Sequence, residues 1–148
     1  MWTVMMVSFV VLAGAAIASA GFAPEVVSAL ENSKDLYVAT ERKDGSLSKV
    51  SPIWFMYDGD ALYFTTVPES YKAKRVKLGR PLHIWVGAAD GPHFVAPGEL
   101  LADPELAARM APVYDSKYWI SWVGFFRPRP ERVREGKTVI IKVRPPAE

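Results

Sequence analysis

The chain of 148 residues has no cysteine. That excludes disulfides, iron-sulfur clusters, thiolate zinc sites and thiol nucleophiles, and leaves the redox compartment unreadable from thiols. Histidine is almost as scarce. Only His83 and His93 occur, and neither has a second histidine at metal-ligand spacing. A zinc or non-haem iron site would have to lean on carboxylates, so no metal site is expected. Net charge is small as well: a formal +2 does not hold a polyanion, and any anion site must come from local clustering. No Gly-x-Ser-x-Gly is present, and neither histidine lies near a nucleophile elbow, which leaves Ser-His-acid catalysis unsupported. No internal repeat is present. What remains is an ordinary globular balance, 50% hydrophobic and 23% charged, in a length that suits one domain.

The first 24 residues carry no charged side chain, and Val4 to Ala18 is apolar except for Ser8. At ~1.5 Å per residue a helix of that stretch reaches ~30 Å or more, enough to cross a bilayer. Two readings stand. Ala18-Ser19-Ala20 has the small-residue pattern of a secretory cleavage site. Yet no Lys or Arg precedes the apolar run, while Lys34, Arg42, Lys43 and Lys49 follow it. That distribution favours an uncleaved anchor over residues 1–23 with the domain on the cytoplasmic side. Folded export has no twin-arginine motif to direct it.

Pro24 followed by Val26, Val27 and Leu30 predicts a short helix ending near Asn32. Asp44-Gly45, Asp58-Gly59 and Asp90-Gly91 are hairpin signals, because Asp and Gly both tolerate the turn backbone. They divide the chain into strands over Leu36 to Arg42, Lys49 to Tyr57 and Ala61 to Val67, a consecutive antiparallel meander. Both faces of the second are apolar, with Ile53, Phe55 and Tyr57 opposite Trp54 and Met56. This suggests a closed small barrel or a covered face. Ser70 to Leu78 reads as a helix capped by Ser70. Leu82 to Val86 and Phe94 to Leu101 read as strands. Asp103-Pro104-Glu105 opens a second well-signed helix, with Leu106, Met110 and Val113 on one face and Pro112 expected to end or distort it. The last strand, Thr138 to Arg144, alternates Val139, Ile141 and Val143 with Lys142 and Arg144, predicting one buried face and one wet face.

Between Glu69 and Asp90 there is no acidic side chain, yet Lys72, Lys74, Arg75, Lys77 and Arg80 all fall there. This is the local cluster that the net charge hides. With Ser70 as a cap, its hydroxyl, the first-turn amides and a nearby lysine converge on one volume, which suits a phosphate. Thr65 and Thr66 add two hydroxyls at the end of the preceding strand. The competing reading is five cations on a solvated helix face.

Val50-Ser51-Pro52-Ile53-Trp54-Phe55, then Asp58 through Thr66, then Ser70-Tyr71-Lys72-Ala73-Lys74, together resemble the flavin-binding split β-barrel superfamily. That group includes the pyridoxamine 5'-phosphate oxidase-like proteins and their deazaflavin-using relatives. The resemblance runs from about Pro24 through Arg80 and more weakly to the last strand. It implies a mainly β (α+β) fold: a six-stranded antiparallel split barrel with short flanking helices over residues 24–148. It also implies a homodimer with cofactor clefts between the subunits. The strand carrying Val50, Ser51, Pro52 and Ile53 would line the isoalloxazine, and Thr66, Ser70 and Lys72 would hold the phosphate. Many members that bind flavin mononucleotide (FMN) have a basic residue where this chain has Tyr71. Lys49 or Lys74 is placed to supply that charge, or the cofactor is a deazaflavin.

The expected function is an oxidoreductase using FMN or a deazaflavin on a small-molecule substrate. The expected cofactor contacts are Lys49 to Ile53, Thr65, Thr66 and Ser70 to Lys72. No catalytic residue stands out. The alternative is a membrane-tethered, non-catalytic carrier of flavin or haem. Two further segments carry competing readings. Tyr114, Tyr118, Trp119, Trp122, Phe125 and Phe126 could stack on a planar ring or pack a core or dimer interface. Arg127, Arg129, Arg132 and Arg134, between prolines, read as a solvated loop that could meet acidic lipid headgroups. His83 reads as a satisfied core residue and His93 as exposed. Nucleic-acid binding is not expected, because carboxylates elsewhere break any broad positive face.

Overall fold

The structure, a computed structural model, describes residues 21–118 and 127–146. Residues 1–20 of the expected anchor, and Trp119, Trp122, Phe125 and Phe126, lie outside the described residues; of its last three residues, Phe22 is buried in the domain core against Tyr57 and Phe94. Among the described residues no helix is long and apolar enough to cross a membrane.

The chain opens with α1 (Pro24–Asn32), whose Pro24 sits at the first turn and whose Val26 and Leu30 are buried. Then follow β1 (Asp35–Thr40), β2 (Ser51–Trp54), β3 (Met56–Tyr57) and β4 (Leu62–Thr66). After α2 (Tyr71–Lys77) come β5 (Leu82–Val86), β6 (His93–Ala96) and β7 (Gly98–Leu101). The chain closes with α3 (Pro104–Lys117), α4 (Pro130–Arg134) and β8 (Val139–Val143). All pairings are antiparallel, in two four-stranded sheets ordered β2-β1-β5-β6 and β3-β4-β8-β7. The α+β class is as expected, but the described residues form eight strands rather than the expected six. Two of the expected strands are each broken, at Phe55 and at Pro97, and each half pairs in a different sheet. The expected meander is interrupted in the same way: β2 pairs with β1, and β3 with β4, but β2 and β3 part company.

The breaks have different causes. Pro97 has no N–H to give a ladder. At Phe55 the backbone is claimed by side chains: the Tyr118 hydroxyl accepts from its N–H at 3.1 Å, and Lys117 Nζ donates to its carbonyl at 2.9 Å. Tyr118 also donates to the Lys34 carbonyl. The Phe55 ring is fully buried, with the Lys117 ammonium 3.5 Å from its centroid. The two sheets therefore share both corners, and their facing sides enclose one core containing Leu36, Val38, Phe55, Phe64, Ile84 and Ile141.

A second core lies on the outer face of the β3-β4-β8-β7 sheet. There Met56, Tyr63 and Ile140 meet Leu106, Ala107, Met110, Tyr114 and Tyr118 of α3 and its end, with Val133 of α4. Two-sided burial falls on β4, whose Leu62, Tyr63 and Phe64 are all buried, and also on the expected second strand past its exposed Pro52: Ile53, Phe55 and Tyr57 meet the first core, and Trp54 and Met56 the second. The last strand likewise buries Ile140 as well as Ile141 and Val143. Asp103 caps α3 through bonds from the Glu105 and Leu106 amides at 3.1 Å. The helix runs through Pro112 to Lys117 instead of ending there. An interior proline costs a helix about 3 kcal/mol. Burial of Met110, Ala111 and Tyr114 on either side of Pro112 offsets that cost.

The α2 helix lies on β7, and a close approach fixes it. A Cβ on Gly98 would meet Leu82 Cδ1 at 3.0 Å and Val76 Cγ1 at 3.2 Å, so any larger residue there would make these side chains give way by a few tenths of an ångström.

Tyr118→Phe keeps the ring and removes the hydroxyl that serves the Phe55 amide. Leaving that buried donor unpaired is expected to destabilise the fold by about 1–3 kcal/mol. Urea denaturation checks this; an unchanged midpoint would show that the corner does not depend on the bond.

Candidate functional site

The strand β2 forms an edge of its sheet, where Pro52 loses no ladder bond that the fold needs. Its N-terminal end and the turn before it face α2. Between them lies a cleft of about 630 Å³. Four hydroxyl residues, Thr40, Ser48, Ser51 and Ser70, and four cations, Arg42, Lys49, Lys72 and Arg75, line it together with Tyr71. No carboxylate is among these residues.

The polar groups are organised. Thr66 Oγ1 donates to Ser70 Oγ at 2.9 Å, and Ser70 Oγ accepts from the Ala73 amide at 3.1 Å as the cap of α2. A hydroxyl has two acceptor sites and one donor; both acceptor sites of Ser70 are taken, so its proton is left to point outward. Arg75 is held at one end by donating to Thr40 Oγ1 at 2.9 Å, and its guanidinium carbon sits 4.8 Å from the centroid of the Tyr71 ring. Lys72 is half-buried, and desolvation pushes its pKa below the ordinary lysine value. Among the described residues no carboxylate pairs with it. An uncompensated, partly desolvated ammonium is the group that a bound anion relieves.

A second cleft, of about 320 Å³, follows directly along β2. It is lined by Pro52, Ile53 and Trp54, by Thr65 of β4 and by Tyr114 of α3. Trp54 is stacked on Tyr118, with centroids 4.2 Å apart and planes within 5°, and its carbonyl accepts from the Tyr114 hydroxyl at 2.9 Å. This wall is aromatic and fixed. A molecule with a phosphate at one end and a planar ring at the other matches the order of the two clefts. The donors suit the anion and the apolar shelf suits the ring.

The residues expected to touch a cofactor therefore divide into two sets. Lys49, Ser51, Ser70, Tyr71 and Lys72 line the first cleft, and Pro52, Ile53 and Thr65 the second. Thr66 stands behind Ser70 rather than on a wall, and Val50 lines neither cleft but joins Lys49 to Ser51. Lys74, expected as a source of the charge missing at Tyr71, is absent from the lining; Arg75 and Arg42 are there instead. Thr40, Arg42, Ser48 and Tyr114 were not expected. Thr40 ends β1 and Arg42 stands two residues on, a strand-face spacing that points to Arg42; Tyr114 carries the ring-stacking reading in the aromatic segment, and the structure places it on the second cleft.

Elsewhere, His83 is half-buried and bonded to Glu41 at 2.9 Å, while His93 is exposed on the neighbouring strand and stacked on Trp85 with centroids 4.5 Å apart. Arg127 departs from the solvated-loop expectation: its Nε donates to both carboxylate oxygens of Asp115 at 3.1 and 3.2 Å. Among the described residues no cluster of three or more His, Asp or Glu side chains could hold a metal ion.

Two antiparallel sheets joined at shared corners, with an anion cleft beside an aromatic wall on one edge strand, agree with the split-barrel resemblance seen in the sequence. The chain belongs to the pyridoxamine 5'-phosphate oxidase family, whose model matches residues 22–147. Among solved structures it is similar to an F420 reductase, at 26% identity over 81% of this chain and 92% of that one, with a TM-score of 0.54. General stress protein 26 of Bacillus anthracis shares the fold at 18% identity, covering 82% and 86% of the two chains, with a TM-score of 0.58. So does a haem storage protein of Vibrio cholerae, at 13% identity, 86% and 92% coverage and a TM-score of 0.56. No curated protein matches the chain.

Burial lowers Lys117 from 10.5 to about 8, an effect that Asp35 partly opposes. Between those values the unfolded chain binds more protons than the folded one, so this lysine makes stability rise with pH across the window. The Lys117→Met variant is expected to lose that contribution. Urea midpoints of both proteins from pH 8 to 10.5 check it, and identical pH dependence would refute it.

Proposed function

We propose that the chain is an oxidoreductase that binds FMN or a deazaflavin across the two clefts. The phosphate lies in the first, and the ring lies along Pro52, Ile53 and Trp54 in the second. The observation that carries this reading is a lining of four cations and four hydroxyls without a carboxylate, continued along the same strand by an aromatic wall.

When bound, the flavin supplies the electron chemistry itself. The chain's residues bind and orient. Lys72, Lys49, Arg42 and Arg75 balance the phosphate charge, and the Ser70 hydroxyl, held by Thr66 and the Ala73 amide, donates to it. The β2 backbone from Val50 to Ile53 offers its edge to polar atoms of the ring, and the Trp54–Tyr118 stack keeps that edge rigid. No side chain is asked to act as acid or base.

Family membership supports FMN, while the likeness to an F420 reductase and the tyrosine at position 71 support a deazaflavin. The second reading is a non-catalytic flavin or haem carrier on the same barrel. A homodimer completes both clefts in this proposal. In this proposal the apolar stretch ahead of Phe22, residues 1–20, anchors the domain to a membrane with its body on the cytoplasmic side; a topology reporter fused to Glu148 tests the side.

The full chain, purified and titrated with FMN, a deazaflavin and haem in turn, is expected to retain a flavin-type spectrum that bleaches with a nicotinamide donor. A chain that takes up neither flavin would sink the proposal, and uptake without turnover would favour the carrier. Ser70→Ala and Lys72→Ala are each expected to weaken binding by ~1–3 kcal/mol, the value of a hydrogen bond to a charged group. Unchanged affinity in both would return Lys72 to the status of a surface charge.

A further inference from the structure

The three most exposed large apolar side chains among the described residues are Tyr71 at 72%, Leu78 at 69% and Val67 at 47%. Tyr71 opens α2, Leu78 caps its end, and Val67 leads into it three residues before the Ser70 cap. The same helix carries Lys74 and Lys77 exposed and contains no acidic residue. Apolar groups and cations interleaved on one exposed helix are costly in water, where Leu78 gains nothing from its exposure.

The helix does not stand alone. A cleft of about 420 Å³ lies beside it, with Lys74 and Lys77 on one wall and Val133 and Gly136 on the other. Its floor is apolar, with Ala73, Leu100 and Val139. The cleft places α2 and α4 side by side on one surface, and α4 brings Arg132 and Arg134, both exposed, with Lys137 just after it. The carboxylates on this surface are Glu69, Glu131 and Glu135. Glu135 is paired with Lys137 at 2.8 Å, so the surplus is positive.

We propose that this α2–α4 surface docks on an anionic phospholipid bilayer, with Leu78 and Val67 entering the headgroup boundary and the lysines and arginines meeting lipid phosphates. Charge complementarity selects this partner. Interleaved apolar and basic side chains suit an interface that is anionic at the surface and apolar just beneath. A nucleic acid would use the cations and leave Leu78 and Val67 in water. An uncharged, apolar stretch of sequence at residues 1–23 places a membrane within reach of the same chain. Docking is a second contact, distinct from insertion of that stretch, and does not require the cofactor reading. Its consequence is a fixed orientation: Tyr71 belongs both to this surface and to the first cleft, so the cleft would open beside the lipid.

The absence of cysteine makes the test clean, because one introduced thiol is labelled alone. Leu78→Cys and, as the control on the other sheet, Val95→Cys are made in the full chain and labelled with an environment-sensitive dye. The proteins are reconstituted into vesicles of phosphatidylcholine alone, or with about a third phosphatidylserine, enough for a strongly negative surface. The residue 78 dye is expected to shift to the blue only in the anionic vesicles, and to revert at about 1 M salt, where the screening length falls to ~3 Å. The residue 95 dye should not move. Lys77→Glu with Arg134→Glu should remove most of the shift, and since neither residue lines a cofactor cleft, the visible spectrum should stay unchanged. An equal response in both vesicle types, an equal response at residue 95, or a response to RNA but not to vesicles would each overturn the proposal. Insertion of the N-terminal stretch occurs in both vesicle types and so does not imitate it.

Discussion

The corner at Phe55 is the constraint on which the rest depends. A buried residue whose N–H and C=O are both taken by side chains cannot continue a ladder, so the strand must turn. Turning there sends β2 into one sheet and β3 into the other, and it exposes Pro52 to Trp54 along an edge. The groups that impose the turn come from the end of α3, more than sixty residues later. The same helix end supplies Tyr114, and with it the wall of the second cleft. The candidate cofactor shelf and the closure of the fold are therefore one piece of construction. Disturbing α3 would disturb both.

That dependence explains what was legible in the sequence. Pro24, Ser70 and Asp103 mark helix starts through local physics, and the three helices begin where those residues stand. The basic stretch after Glu69 was legible because a run without carboxylates needs no tertiary knowledge to notice. The break at Phe55 was not, since the donors and acceptors that cause it are remote in sequence. Nor was the passage of α3 through Pro112, which rests on the burial of residues around the proline rather than on the proline itself. Arg42 and Thr40 read only as the end of a strand beside a turn; the hairpin's approach to α2 is what brings them to the cleft. Local chemistry was readable, and convergence was not.

The electrostatics of the first cleft follow from what surrounds it. Arg75 is oriented by Thr40 and by the face of Tyr71, so its charge stands in a set direction before any ligand arrives. Lys72 is only partly hydrated, and among the described residues no carboxylate pairs with it. A site preorganised in this way has already met much of the cost of gathering like charges, and an anion recovers it on binding. The excess of +2 over the whole chain conceals this, because carboxylates such as Glu41, Asp58 and Asp115 are engaged elsewhere.

Tyr71 sharpens the question of the cofactor. In the sequence it stands as a missing positive charge. In the structure its ring lies under a guanidinium and within 5.8 Å of the Lys74 ammonium, so the position gathers charge without carrying any. A cation–π contact of this kind contributes about 0.5–1 kcal/mol at an exposed site, less than a direct ion pair with phosphate. The phosphate end can thus be held without a basic side chain at position 71, but through Arg75, whose guanidinium is shared with Thr40. In the proposed reading, selection between FMN and a deazaflavin falls less on the phosphate end than on the aromatic shelf at Pro52 to Trp54 and on what completes it.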